Sequence, residues 1–349
     1  MNHPYRGLPD ERYWSRSIGN CSDDGWDPVT NPPFQVEADA RIITAGSCFA
    51  QHLARYLNSN GRTCFVTESS HPLMDSQLAK EFNYGIFTAR YGNIYTSRQL
   101  LQLWQRANFQ FVPKDSVWTC GEHRFDPFRP SIQPGGFASA LEFELDQAQH
   151  FAAVRRAFSQ AYVLVFTLGL TECWASKEDG AVYPIAPGVL AGEYDPNRHE
   201  LLNLSVDEVV TDIAEFVRNV RISNPAFKLI LTVSPVPLAA TAEARHVGVA
   251  SCYSKAVLRI AAEYAAKLPG VYYFPSYELI TAPGQTYFAA DRRSIREEGV
   301  RRVMSLFFRH VLRDEGEPRE VGEERDVFLD RVRDVVDVIC EESLLDEHK

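Results

Sequence analysis

The sequence lacks any apolar run approaching the ~20 residues needed to cross a bilayer. Its N-terminus, MNHPYRGLPDERYW, carries no apolar stretch of the signal-peptide kind. Cysteine is sparse and unpatterned: seven residues, at 21, 48, 64, 120, 173, 252 and 340, an odd number with no CxxC pair. That argues against a disulfide framework or a structural zinc site, and the expectation is reduced thiols, no metal centre and a cytoplasmic location. Neither GxGxxG nor GxxxxGK[ST] occurs, so the two common phosphate cradles are missing and no cofactor is expected. Internal repeats and low-complexity linkers are also lacking. Positive charge is short: the formal net charge is −10. Residues 314–349 hold 14 acidic against 5 basic side chains, a net of −9, which leaves the body near −1. Without concentrated positive charge, nucleic acid is not an expected partner.

What is present suits a folded enzyme-sized chain. Of 349 residues, 45% are hydrophobic and 23% charged, enough to bury a core without staples. Four short apolar runs stand out at 41–45 (RIITA), 162–168 (YVLVFTL), 228–233 (KLILTV) and 271–274 (VYYF), with a weaker fifth at 63–67 (TCFVT). Continuous rather than alternating runs fit strands buried on both faces of a parallel sheet. Helical stripes separate them. Phe49, Leu53 and Leu57 follow the first run, and helices are expected over 141–158 and 251–268. Val209, Ile213, Phe216 and Val220 mark a further helix, and Val300, Val303, Met304, Phe307, Phe308 and Val311 a late one. The alternation predicts a three-layer α/β/α fold over residues 1–313. Residues 70–140 form an irregular insertion in this reading, and residues 174–203 read as loop. In 314–349, Phe328, Val332, Val335, Val336 and Ile339 recur at helical spacing. They predict an acidic terminal helix that docks on the body or on a second copy, making a homodimer.

The first run ends in Thr44-Ala45-Gly46-Ser47-Cys48, where the chain passes straight from strand to helix. Ligands of open α/β sheets bind at such carboxyl ends. A hydroxyl there faces free backbone N–H groups and a partial positive potential, which favours a developing oxyanion. The alternative is that Ser47 only caps the helix. Position 50, where a capping box needs Glu or Gln, holds Ala50. Cys48 competes for the nucleophilic role, since a helix N-terminus lowers a thiol pKa. Adjacent side chains diverge, however, so only one of the pair faces the site.

The string AGSCFA at 45–50 resembles the signature of the GSCFA-domain family, a branch related to SGNH/GDSL esterases and acetyltransferases. The likeness continues in order through FTARYGNIYTSRQLLQLWQRA (87–107), DPFRP (126–130), VFTLGLTECW (165–174), TVSPVPL (232–238), YSKAVLR (253–259) and YFPSYEL (273–279). It spans roughly residues 3 to 312. It implies an SGNH-hydrolase-like sheet and a serine nucleophile at Ser47, whose own N–H joins an oxyanion hole. Gly92 matches the glycine donor of the second block, and Thr171 stands where many relatives have Asn, with Asn93 as an alternative amide donor.

The last block departs from the pattern. Where SGNH enzymes carry DxxH, this chain reads Asp291-Arg292-Arg293-Ser294. Asp291 fits the orienting carboxylate, but Ser294 replaces the base, and with Glu297 it spells a capping box. A Ser–His pair needs an imidazole in reach. His246, between the third strand and the next helix, is the preferred candidate; His52 is expected to pack or face solvent. Glu172 and Glu278 are alternative proton carriers, and Arg90 and Arg129 are candidate partners or anchors for an acidic substrate. The expected activity is ester cleavage or acyl transfer on a small or carbohydrate-like ester. The rival is a fold-retaining binding protein for a carbohydrate, nucleotide or peptide.

Overall fold

The computed structural model describes residues 3–22, 25–59, 64–313 and 341–345. Nine strands occur among them: β1 (Ile42–Gly46), β2 (Trp118–Cys120), β3 (His123–Phe125), β4 (Val163–Leu168), β5 (Glu172–Ser176), β6 (Val182–Tyr183), β7 (His199–Asn203), β8 (Lys228–Val233) and β9 (Val271–Tyr273). The helices are α1 (Trp14–Ser17), α2 (Cys48–Ser59), α3 (Ser76–Glu81), α4 (Ser97–Ala107), α5 (Ala140–Gln160), α6 (Val206–Ser223), α7 (Val247–Ala265), α8 (Ser276–Thr281) and α9 (Glu297–Val311).

The four strong apolar runs form one parallel sheet in the order β1-β4-β8-β9. Successive side chains point to opposite faces, so each run feeds two cores at once. Ile43, Ala45, Leu164, Phe166, Leu168, Leu229 and Leu231 pack with α4, α5, α6 and α7. Ile42, Val163, Val165 and Ile230 pack with α2, α8 and α9 on the other side. The α/β/α sandwich is therefore as the periodicity predicts, and the stripe Val209, Ile213, Phe216 and Val220 is fully buried.

The weaker run at 63–67 is not a strand. Its described part passes beside β1, where Phe65 N–H donates to the Ile42 carbonyl at 2.8 Å. The outer edge of β1 is instead occupied by the stretch 88–94. Ile94 N–H donates to the Gly46 carbonyl at 2.8 Å, and the Tyr91 hydroxyl donates to the Thr44 carbonyl. Irregular backbone thus satisfies polar groups that an open edge would expose.

Residues 174–203, read as loop, contain the antiparallel sheet β6-β5-β7. Its strands are short, and their aromatic contacts run out of the sheet, Trp174 meeting Tyr194 edge-on and His199 meeting both Tyr183 and Tyr194, so no clear period-2 signal arises. The insertion is also more regular than expected. It holds α3, the β2–β3 hairpin and α4, whose N-terminus is a complete capping box of Thr96 and Gln99. That motif, T-x-x-Q before an apolar run, is legible in the sequence. The predicted terminal helix lies outside the described residues, except for a 3-10 turn at Glu341–Leu345.

Buried charge fastens the insertion to the body. Arg90 and Arg129 are each buried and share Asp146, at 2.5 Å apiece; Arg129 also holds Asp126 at 2.7 Å. Glu68 accepts the Arg90 N–H at 2.7 Å and meets His150 Nδ1 at 2.8 Å. Burial by itself raises the Glu68 carboxyl, but the His150 hydrogen bond and the neighbouring cations bring it to about 2. Burial, aided by Arg129, lowers His150, which therefore sits neutral. Because a carboxylate only accepts, the His150 proton is on Nδ1.

Two predictions follow from this packing. Arg129→Met leaves Asp126 buried without its cation, while Asp146 keeps Arg90, and should lower unfolding stability by about 3–5 kcal/mol in urea titration. The second concerns pH. Burial and Arg55 lower His52 to about 4 from 6.5, and His150 moves in the same direction. The unfolded chain thus takes up protons first. The associated stability is full above about 6.5 and drains away as pH falls toward and through about 4. Melting temperature should drop over that window, and His52→Gln should flatten the profile.

Candidate active site

Ser47 stands between β1 and α2, and its position is dictated by Gly46. The Gly46 backbone has φ +141°, and a Cβ there would lie 2.5 Å from the Thr167 carbonyl oxygen and 2.8 Å from the Thr167 nitrogen. Only glycine fits this approach of β1 to β4. The close approach that Gly46 permits is thus to a neighbouring strand. Ser47 N–H continues the ladder by donating to the Thr167 carbonyl at 3.3 Å, and the Ser47 carbonyl accepts from Ala50 N–H at 2.8 Å. The Ser47 N–H is therefore committed to the sheet, which corrects its expected place in an oxyanion hole.

The Ser47 hydroxyl is different. The residue is 4% exposed, and its Oγ is buried with no hydrogen-bond partner among the described residues. It does not cap α2. A buried hydroxyl left unpaired costs about 1–3 kcal/mol, so a purely structural serine is a poor explanation of it. The side chain of Cys48, weighed against Ser47, lies outside the described set.

Two loops meet at the end of β1. One is 92–95, fixed to Gly46 through Ile94. The second follows β4, where a Cβ on Gly169 would lie 3.1 Å from Ser47 Cβ and 3.3 Å from the Tyr95 ring. Gly169 and Leu170 N–H both donate to the Tyr95 carbonyl, at 2.9 and 3.0 Å, which locks these two loops together. Helix α7 braces the second loop from behind. Lys255 Nζ donates to the Gly169 carbonyl at 2.7 Å, and Thr171 N–H donates to Ser254 Oγ at 3.0 Å. Thr171 is itself fully buried, and its hydroxyl, like that of Ser47, has no partner.

Asn93 is turned by Gln51 on α2, whose Nε2 donates to Asn93 Oδ1 at 2.9 Å. That leaves Asn93 Nδ2 to donate, and it does so to Glu341 Oε2 at 2.5 Å. The Tyr95 hydroxyl donates to the same oxygen at 2.7 Å. Glu341, from the terminal 3-10 turn, is the third element of the site, and a Cβ on Gly92 would lie 3.7 Å from its Oε1. Asn93 thus lies beside Ile94, which is bonded to Gly46, and Thr171 lies two residues beyond Gly169, whose Cα side packs on Ser47.

The other expected residues are placed elsewhere. His246 is exposed and caps α7, its Nδ1 accepting the Gly248 N–H at 3.1 Å, so its ring serves a helix end. Asp291 is exposed and accepts from Ser294 Oγ at 2.6 Å and from the Ser294 N–H at 2.9 Å. These hydrogen bonds hold its carboxyl below the usual range. Helix α9 starts from Arg296, so the capping box read at Ser294 and Glu297 is not formed; Ser294 belongs to the Asp291 turn. Arg90 and Arg129 have their donors spent on Asp146, Asp126 and backbone carbonyls, and they anchor the insertion rather than a substrate. Glu172 accepts from Thr241 at 2.8 Å, and burial raises its carboxyl. Glu278 pairs with Arg259 at 2.6 Å and the Tyr273 hydroxyl at 2.7 Å.

Gln51 and Tyr95 escaped the sequence reading, as did two groups that can carry a charge. His150 lies mid-helix, and its Nε2 is buried without a partner. It lines a small cavity of about 20 Å³ shared with Asn93 and Arg106. Glu341 sits in an acidic tail whose composition disguises any single carboxylate. Among the described residues no group of three or more His, Cys, Asp or Glu is arranged to hold a metal, and no helix is long and apolar enough to cross a membrane.

The geometry makes Gly46 the most sensitive position. Gly46→Ala should separate β1 from β4 and displace Ser47, with a loss of at least about 3 kcal/mol from strained φ and steric clash together. Circular dichroism during urea unfolding measures it.

No curated protein matches the chain. Among solved structures, it is similar to a family 3 carbohydrate esterase of Clostridium thermocellum, with a TM-score of 0.32 and 11% identity over 77% of this chain and 94% of that one. An acetyl xylan esterase from the rumen bacterium Butyrivibrio proteoclasticus gives a TM-score of 0.24 and 11% identity, over 70% of this chain and 57% of that one. Residues 41–307 match the GSCFA family, from the first residues of the β1 region to α9. The chain therefore belongs to the GSCFA family.

Proposed function

We propose that this protein is a serine-dependent acyl-ester enzyme, an esterase or O-acyltransferase, with Ser47 as nucleophile and a carbohydrate-like ester as substrate. The observation that carries the reading is the Ser47 hydroxyl itself, buried at the end of β1, beside the start of α2, and used for neither capping nor packing contacts of a polar kind. The fold spends about 1–3 kcal/mol keeping it unpaired, which a structural serine does not require. Membership of the GSCFA family supports the role through its relation to SGNH esterases and acetyltransferases.

In this reading the Ser47 oxygen attacks the acyl carbonyl and gives up its proton as the new C–O bond forms. The carbonyl oxygen becomes an oxyanion, which the Asn93 amide, the Thr171 hydroxyl and the Gly92 N–H are the proposed groups to receive. The alcohol leaves, taking a proton, and the acyl group passes from Ser47 to water or to an acceptor hydroxyl. Among the described residues no imidazole or carboxylate touches Ser47 Oγ, so the proton acceptor enters with the substrate or on opening of the site.

That same observation favours one rival. A chain without a base at its serine, with Ser294 in the usual histidine position, retains the fold as a binding protein. A fluorophosphonate probe separates the two. Labelling confined to Ser47 and lost in Ser47→Ala, together with a fall of at least about 100-fold in turnover of short acyl esters, is the expected result for a nucleophile. Unchanged turnover in Ser47→Ala removes the enzymatic reading.

A further inference from the structure

We infer that the terminal turn of this chain is a tethered plug, and that its Glu341 carboxylate occupies a carboxylate-binding position beside Ser47, the place of the acid released from an acyl ester. The inference deepens the proposed acyl-ester function and rests on that reading for its account of what the carboxylate imitates.

Three observations converge. First, Glu341 is 3% exposed, although it belongs to a short 3-10 turn whose Leu344 is half-buried and whose Leu345 is exposed. One carboxylate is driven inward while a leucine of the same turn stays at the surface, the reverse of ordinary hydrophobic anchoring. Second, the donors are set without reference to Glu341. Gln51 fixes the Asn93 amide, Ile94 fixes that loop to Gly46, and the Tyr95 backbone is clamped by Gly169 and Leu170. Amide and phenol hydrogens therefore converge on one point regardless of which oxygen arrives there, and such preset donors suit an anionic oxygen. Third, Tyr95 connects the two positions: a Cβ on Gly169 would lie 3.1 Å from Ser47 Cβ and 3.3 Å from the Tyr95 ring, and the Tyr95 hydroxyl donates to Glu341 at 2.7 Å, alongside the Asn93 amide.

A carboxylate held by these donors presents the same oxygens as acetate or another short acid. Because Glu341 is tethered to the chain, its effective concentration at the site is of millimolar order, and free carboxylates below that level lose the competition. A ligand's apparent affinity is then reduced by the fraction of molecules with the turn displaced.

The test uses the full chain carrying Glu341→Ala, with Glu341→Gln as a shape-preserving second variant should the first fail to fold. Sodium acetate is titrated against sodium chloride at equal ionic strength while amide resonances are followed, and fluorophosphonate labelling of Ser47 is timed with and without acetate. We expect saturable acetate binding in the variants and none in the unaltered chain. Labelling should be at least about tenfold faster in Glu341→Ala, and acetate should slow it. Well-folded variants that bind no acetate and label at the unaltered rate overturn the plug while leaving Ser47 as nucleophile. Acetate binding in the variants with no labelling in any form upholds the carboxylate position and sinks the nucleophile reading instead.

Discussion

The contact on which the site depends is the one between Gly46 and the backbone of Thr167. Two parallel strands come together there with no room for a Cβ, at a backbone angle of +141° that other residues avoid. Every placement at the candidate site follows from it. The ladder extends one residue further to take the Ser47 N–H, α2 begins at once, and the Gly46 carbonyl is left to receive Ile94. The loop carrying Gly92, Asn93 and Tyr95 is thereby set against the serine. Strand pairing, an element of the fold, is also what aims the chemistry.

Around that contact the protein sorts its polar groups into two kinds. One kind is paired and buried for architecture. Arg90 and Arg129 neutralise Asp126, Asp146 and Glu68 in part, and neutral His150 donates to Glu68, where the insertion meets the body. Such clusters add little net stability over an apolar core but are costly to break, so they specify one arrangement. The other kind is buried and unpaired, the hydroxyls of Ser47 and Thr171, or preset toward an anion, the donors of Asn93 and Tyr95. These groups have no architectural return, and they gather at one strand end, where α/β folds place ligands.

The terminal turn links the two kinds. By burying Glu341 against preset donors, the chain offsets the desolvation of its own site with its own carboxylate. Acidic composition in the tail, unremarkable as a solvated face, acquires a specific meaning at one residue.

Much of the sheet was legible in the sequence. The runs that became β1, β4, β8 and β9 were continuous and β-branched because those strands feed both cores, and the stripes of α6 and α9 were strongly periodic because each helix buries one face in a single core. The strand-to-helix junction at Ser47 was legible for the same local reason, and so was Gly46. The small sheet β6-β5-β7 was not, since its strands are short and its aromatic contacts lack alternation. The roles of Arg90, Arg129, His246 and Asp291 were equally hidden. A sequence shows that a side chain can bind an anion or move a proton, but not whether its valences are already taken: Asp146 reaches Arg90 only through packing, while His246 and Asp291 are engaged by the local partners Gly248 and Ser294 in turns whose geometry the sequence does not specify. Local periodicity thus determined the layers and the position of the serine. The long-range meeting of residues 47, 93, 95, 171 and 341 was decided by tertiary structure alone, because no local pattern encodes contacts between segments so far apart in the chain.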